Sequence, residues 1–317
     1  MELCLYNDFV YDLPFDDALD VAARLDGSAV ELVVGDRLSL SPERVMELLG
    51  DPAALASYRE LITSRGVRVA AVNCSAWALE SAFGDELAAN MKAAIRLARA
   101  LGADKIVTVS GCPGTPPTIK AMEWMTVRWP RNYFEDLDAQ WNKVVALWTD
   151  VAGYAADHGI RSIAFDLHPL QVVSNAPALR RFRAQVGPII GANIDPGAMF
   201  WQQMDPVSVI HALGPAVHHV HLKDVEVYPD NLAVSGVVLT TTPQEEPRLR
   251  AWIYRTVGFG RDESFWGPFF EALRDIGYDD VLSVVNRDPY LPPDMGAEMA
   301  ARFAAGLLSK NQEKVAH

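Results

Sequence analysis

Residues 138–169 read DAQWNKVVALWTDVAGYAADHGIRSIAFDLHP. From Asp138 to His158 alanine, leucine and other apolar residues recur at intervals of three and four, the spacing of one helix face. Gly159 stands where such a helix ends in the left-handed conformation, and Ser162–Asp166 then forms a short apolar run of strand length. That run ends on polar residues, Asp166 and His168, before Pro169. A helix closed by glycine that delivers the chain into a short buried strand is the repeating unit of α/β folds with a parallel sheet.

Outward from this unit the same pattern recurs. Apolar, β-branched runs occupy Glu2–Tyr6, Ala29–Val34, Val67–Asn73, Lys105–Ser110, Ser162–Asp166, Ile190–Asp195, Val217–Leu222 and Val281–Val285. A helical pattern such as Asp85–Leu101 lies between them, and Gly66, Gly102 and Gly277 close helices as Gly159 does. Eight such units predict an α/β fold, a single (β/α)8 TIM barrel over residues 1–309, with 310–317 as a polar C-terminal tail. Two stretches are too long for simple connections: Gly111 to about Asp136 after the fourth run, and Val225 to about Asp262 after the seventh. Both follow strand C-termini, the face on which barrels build their sites. Trp77, Trp124, Trp129, Trp201 and Trp252 also follow strand ends, as walls for an oxygenated ligand or as contacts between subunits.

The 317 residues carry 28 Lys and Arg against 41 Asp and Glu, a net charge of −13, and half of them are apolar. This acidic balance excludes nucleic acid as a partner, because that affinity is mostly phosphate neutralisation. No apolar run approaches the ~18 residues of a spanning helix, and MELCLYNDFVYD lacks the basic start of a signal peptide, so no membrane partner and a cytoplasmic location are expected. Cys4, Cys74 and Cys112, without CxxC spacing, read as reduced thiols.

In a barrel the chemistry comes from polar side chains at strand ends. The fifth strand offers Asp166 and His168, the sixth Asp195, and the seventh His219, His221, Lys223 and Asp224 in VHHVHLKD. Two carboxylates and an imidazole converging at one mouth suit a divalent metal such as Mn²⁺, Zn²⁺ or Mg²⁺. The alternative is that the aspartates cap turns and the histidines are satisfied interior groups. Glu31 ends the second strand, either to orient a substrate hydroxyl or as a structural partner. Arg255 in the long seventh loop reaches for an anion or makes an ordinary ion pair. Lys223 and Asp224 read as neighbours that pair and aim the loop. SGCPG, Ser110–Gly114, offers backbone N–H groups to an anion or is simply a turn.

With these residues in place the chain resembles the sugar phosphate isomerase/epimerase family, the xylose-isomerase-like barrels related to inosose dehydratases, ketose 3-epimerases and endonuclease IV. The resemblance rests on ADHGIRSIAFDLHP (156–169), VGPIIGANIDPGAMFWQQMDPVSVIHALG (186–214), HHVHLKD (218–224), WIYRTVGFG (252–260) and GYDDVLSVVNRDP (277–289). It implies a metal held by a carboxylate of the fifth strand, an Asp of the sixth, the second His of an HxH on the seventh and a Glu on the eighth. These carry over to Asp166, Asp195 and His221. The family's Glu is one methylene shorter here as Asp166, its His after DPS is Ala198, and its SIEHED reads SVVNRD, so that Val285 replaces the fourth ligand and second carboxylate. Valine neither binds a cation nor moves a proton.

The function expected from this resemblance is that of an isomerase, epimerase or lyase acting on a hydroxy-ketone, keto-sugar or polyol through an enediolate-type intermediate. Asp166 and His168 are the expected catalytic groups, and Glu31, Trp201, Lys223, Arg255 and Arg287 the substrate-binding ones. Arg287 brings positive charge for an anionic substrate group. The competing reading is a metal-free or non-catalytic barrel that binds a small molecule or a partner subunit, and homo-oligomerisation is left open.

Overall fold

The computed structural model describes residues 1–7, 14–25, 27–35, 40–80, 84–111, 133–169, 171–200, 202–237 and 246–315. Seven parallel strands run in order: β1 Glu2–Tyr6, β2 Ala29–Val33, β3 Arg68–Asn73, β4 Lys105–Thr108, β5 Ser162–Asp166, β6 Ile190–Ile194 and β7 Val217–Leu222. After them the chain forms β8 Asp224–Val227 and β9 Trp252–Arg255, and then β10 Val281–Val284. The barrel closes in the order β1-β10-β7-β6-β5-β4-β3-β2, so β10 is its eighth strand. The seam pairs β1 with β10 from Glu2↔Val281 to Leu5↔Val284. The eight runs read from the sequence are therefore the eight barrel strands, trimmed by a residue or two at some ends.

Helices lie between the strands: α1 Phe15–Arg24, α2 Pro42–Gly50, α3 Pro52–Thr63, α4 Ser75–Glu80, α5 Gly84–Ala100, α6 Tyr133–Asp157 and α7 Ala176–Val186. There follow α8 Pro196–Phe200, α9 Pro206–Leu213, α10 Pro229–Ser235, α11 Glu263–Asp275 and α12 Pro293–Val315. Their starts are written locally. Asp205 accepts hydrogen bonds from Val207 N and Ser208 N at the head of α9, and Asn175 accepts from Ala178 N at the head of α7, satisfying amides that a helix leaves free. Gly66, Gly102, Gly159 and Gly277 have φ of 71°, 89°, 78° and 75°, the left-handed stops predicted for them. α6 begins five residues before the predicted Asp138, and α12 runs through Val315, so helix continues into the segment expected to be a tail.

The main apolar core lies between sheet and helices. Trp148 and Phe165 meet edge-to-face at 4.7 Å, and Phe165 packs on Phe182 at 5.6 Å. Inside the barrel the side chains form layers. Cys4, Ala29 and Val281 close the bottom, while Tyr6, Val33 and Val285 form an apolar patch at the top. Between them sits a polar set, Glu31, Asn73, His219 and Ser283, all buried. Cys4 and Cys74 are free and buried thiols, and Cys112 lies outside the described residues.

The long seventh connection is largely ordered structure. β8 and β9 pair antiparallel from Asp224↔Arg255 to Val227↔Trp252, and Val225, Ala251 and Trp252 make a small core of their own. Asp224, fully buried, anchors this hairpin. Its carboxylate accepts from Val225 N at 2.8 Å, Gly258 N at 3.0 Å, Gly260 N at 3.1 Å and Arg261 N at 2.9 Å. A Cβ on Gly260 would lie 2.5 Å from Val225 O, so only glycine lets the turn close on the carboxylate. The long fourth connection, with Trp124 and Trp129, falls almost entirely outside the described residues. Of it, Ser110 is structural: its Oγ accepts from Val173 N and its carbonyl from Trp148 Nε1.

Asp224→Ala strands several inward-facing amides and should lower stability by about 2–3 kcal/mol in urea unfolding. Limited proteolysis should then cut first between residues 224 and 262. An unchanged unfolding midpoint would show that the hairpin holds without its anchor.

Candidate functional site

The site is built on Glu31. This carboxylate is 0 % exposed in the barrel interior, where an unpaired charge is prohibitively costly. Three groups satisfy it. Asn73 Nδ2 donates at 2.7 Å, His219 Nε2 lies at 2.8 Å from Oε2, and His221 Nε2 lies at 3.1 and 3.2 Å from the two oxygens. Burial works against the Glu31 charge, but His221 and His219 hold the carboxyl well below its ordinary range. Ser283 Oγ completes the cluster, 3.0 Å from His219 Nε2.

The two histidines share a strand face, as their i, i+2 spacing dictates, yet their states differ. Burial pushes His219 down to about 4 despite Glu31, so it is neutral. His221 loses as much to burial, but lies between two carboxylates, Glu31 and Asp195, which carry it up to about 10. Its Nδ1 is 3.5 Å from Asp195 Oδ2 and 3.0 Å from the Asn193 side-chain amide. It is Asn193 Nδ2 that faces the ring, and the Nδ1 proton of the imidazolium is directed to Asp195.

Asp195 follows β6 directly. Its Oδ1 accepts from Ala198 N at 3.3 Å, and its Oδ2 faces both His221 and the Lys223 ammonium, the latter at 3.3 Å. Burial alone would neutralise it, but Lys223 and His221 keep it ionised, below the usual carboxylate range. Asp166, at the end of β5, has the opposite character. Burial and the nearby Asp195 charge push it up to about 7, and its Oδ1 is buried with no hydrogen-bond partner among the described residues. Of two adjacent carboxylates, one is thus held charged and the other is poised to gain or lose a proton near neutrality. His168 is half-buried, held below its ordinary range by burial, with Nδ1 2.7 Å from Pro169 O.

Asp166, Asp195 and His221 each offer a ligand atom, and the three atoms lie within 4.8 Å of one another. Two carboxylates, an imidazole and the unpartnered Asp166 Oδ1 fit a divalent ion in kind and spacing. Val285, at the position where the family resemblance expects a fourth ligand, is 2 % exposed and packed with Tyr6 and Val33. Glu31, His219 and His221 form a second convergent set one layer deeper.

Other sequence-derived candidates part from this group. Glu31 contacts no solvent and is fully engaged below the mouth, so its role is to hold the histidines rather than a substrate hydroxyl. Arg255 is spent internally on Glu226 and on Asp288, whose Oδ2 lies 3.0 Å from Nε. Lys223 and Asp224 do not pair: successive residues point to opposite faces, Lys223 to Asp195 and Asp224 to the hairpin turn. Trp77 is buried beneath Gly35 and Trp252 in the hairpin core, while Trp201 lies outside the described residues. Arg287 stands close enough to Lys223 for the two charges to repel. Sequence reasoning missed Asn73, Asn193 and Tyr254, because amides and phenols at strand ends carry no distinctive spacing.

The model for xylose isomerase-like TIM barrels matches residues 19–306. The uncharacterized protein YfiH of Bacillus subtilis (strain 168) is 32 % identical over 300 residues, covering 93 % of this chain and 96 % of that one. Among solved structures, the IOLI protein with a bound zinc atom superposes with a TM-score of 0.67 at 17 % identity, over 98 % and 99 % of the two chains. D-psicose 3-epimerase with D-tagatose from Clostridium cellulolyticum H10 gives 0.63 at 14 % identity, over 99 % of each chain. At these identities the structural likeness is one of fold.

Glu31→Ala leaves the imidazolium of His221 without its main counter-charge and should cost about 3–5 kcal/mol in chemical denaturation. Ser283→Ala should cost less than about 1 kcal/mol. Equal, small effects would show that the buried cluster is not what holds the barrel interior.

Proposed function

The chain belongs to the xylose isomerase-like TIM barrel family, and on that premise we propose that it is an isomerase or lyase that moves a proton on one face of a hydroxy-ketone, keto-sugar or keto-polyol. The observation that carries this reading is Asp166. It is the carboxyl of the mouth that titrates near 7 and keeps an oxygen without a partner. A group with its pKa near the working pH both takes and returns protons, which is worth about 10²–10⁴-fold in rate.

The opposite wall sets the reaction class. Where a second carboxylate would stand, Val285 packs against Tyr6 and Val33. Two-base epimerisation needs proton-moving carboxylates on both faces, whereas one-base chemistry needs only the Asp166 side. Asp166 takes the proton from the carbon beside the carbonyl, and the C–H electron pair becomes the C=C bond of an enediolate while the carbonyl oxygen takes the negative charge. The same carboxyl then returns the proton to the former carbonyl carbon while the hydroxyl proton of the first carbon passes to the oxyanion, giving isomerisation, or delivers it to a leaving β-hydroxyl whose C–O bond breaks as the enolate re-forms its carbonyl, giving water and an enone. His168, two residues further along the chain and held below its ordinary range by burial, would relay that proton. Asp195 and Glu31 stay charged and orient His221. A divalent ion held by Asp166, Asp195 and His221 would polarise adjacent hydroxyl and carbonyl oxygens.

Proton NMR of ketoses and keto-polyols incubated with the protein in D₂O tests the reading. A substrate should lose its signal α to the carbonyl, and Asp166→Asn should slow that exchange by at least about a hundredfold. A folded protein that binds such compounds without exchange would support the non-catalytic binding barrel instead.

Val285→Glu tests the inherited donor set. In calorimetry with Mn²⁺ and Zn²⁺ the affinity order should be Val285→Glu, then native, then His221→Ala, with about tenfold or more at the first step. Without metal, Val285→Glu should be destabilised by a few kcal/mol, since it buries a carboxylate in an apolar patch. Binding indifferent to both substitutions would place the ion elsewhere.

A further inference from the structure

Lys223 leaves β7 two residues after His221 and therefore projects to the same inward face. Its side chain is 13 % exposed, and three features of the fold hold it there. Asp195 Oδ2 receives its ammonium at 3.3 Å. The Tyr254 ring, on the hairpin strand β9, offers its face 4.3 Å from Nζ. Gly197 makes room for the stem: a Cβ at that position would lie 2.9 Å from Lys223 Cγ and 3.0 Å from Asp195 Oδ1. Two separate segments, 195–197 and β9, thus shape one seat for one ammonium group.

That seat overlaps the place of a metal. Asp195 has one oxygen on Ala198 N and the other shared between His221 and Lys223. An ion drawing on the shared oxygen would meet the ammonium at short range, where like charges repel strongly in a buried setting. Ion and ammonium are alternatives for the same carboxylate.

We propose that Lys223 is the resident cation of this mouth, seated on Asp195, and that its ammonium binds the substrate oxyanion that forms as Asp166 removes the proton. The proposal rests on the carbonyl substrate and proton transfer argued above. An ammonium has three N–H groups; Asp195 takes one and the Tyr254 face attracts a second, which leaves one for a substrate oxygen. Asp166 lies within the field of the same charge, so the group that takes the proton and the group that receives the resulting negative charge face one substrate together. The charge that the family's missing eighth-strand carboxylate would have helped to hold as a metal ion is instead supplied covalently, by a side chain.

The experiment compares native protein with Lys223→Met, Lys223→Gln and Lys223→Arg in two calorimetric titrations. Threonohydroxamate, a planar mimic of an enediolate, is titrated in excess EDTA. Native protein should bind it, Lys223→Arg should stay within about threefold, and Lys223→Met and Lys223→Gln should weaken it by about tenfold or more. Mn²⁺ is then titrated without chelator, and Lys223→Met should bind it about tenfold more tightly than native, because Asp195 is released. A lysine that merely props up the fold would not improve a metal site. Hydroxamate binding that requires Mn²⁺, or Mn²⁺ affinity indifferent to Lys223→Met and Lys223→Gln, overturns the proposal. Neither titration involves turnover, so absence of proton exchange in the native protein defeats the proposed function and leaves this result to be read by itself.

Discussion

A single buried carboxylate organises the barrel interior. Glu31 cannot stay charged in that setting unless donors surround it, and Asn73, His219 and His221 are those donors, drawn from β3 and β7. β7, which is not a neighbour of β2, is thereby tied to it through the barrel interior, and β3, which is, is fixed on the same carboxylate. The orientation of His221 follows from the same bond: with Nε2 on Glu31, Nδ1 must face β6, where Asp195 meets it. Asp195, so engaged, imposes its charge on Asp166. A structural demand at the centre is transmitted, one contact at a time, to the rim of the barrel.

The chemistry is unevenly distributed around that rim. β5, β6 and β7 supply the carboxylates, the imidazole and the ammonium, while the side closed by β10, β1 and β2 is apolar at the same height. The stretch after β10 has been turned to another use. Asn286 Oδ1 accepts from Thr256 Oγ1, and Asp288 Oδ2 accepts from Thr256 N and Arg255 Nε, so the residues following Val285 brace the hairpin. The hairpin in turn carries Tyr254 to Lys223.

Much of this was legible in the chain. Strands announced themselves by β-branched runs and helices by glycine stops, because both signals are local. Asp166, Asp195 and His221 were found from position at strand ends, and they do converge. Pairings across the barrel were not legible: that Lys223 turns to Asp195 rather than Asp224, that Arg255 is spent on Glu226 and Asp288, and that Glu31 faces inward all depend on which strands become neighbours. The hairpin within 225–262 escaped notice because its order comes from a distant carboxylate, Asp224, and from small-residue turns, not from propensity.

The seam between β1 and β10 has a bearing on biosynthesis. It joins residues at opposite extremes of the chain, as the contact between the Met1 ammonium and Asp279, 278 positions away, makes plain. On the ribosome β1 has one edge without a neighbour until almost the whole polypeptide has emerged, and β7 waits likewise for β10. Such edges invite pairing with other nascent chains. The short length of β1, five residues, limits that exposure.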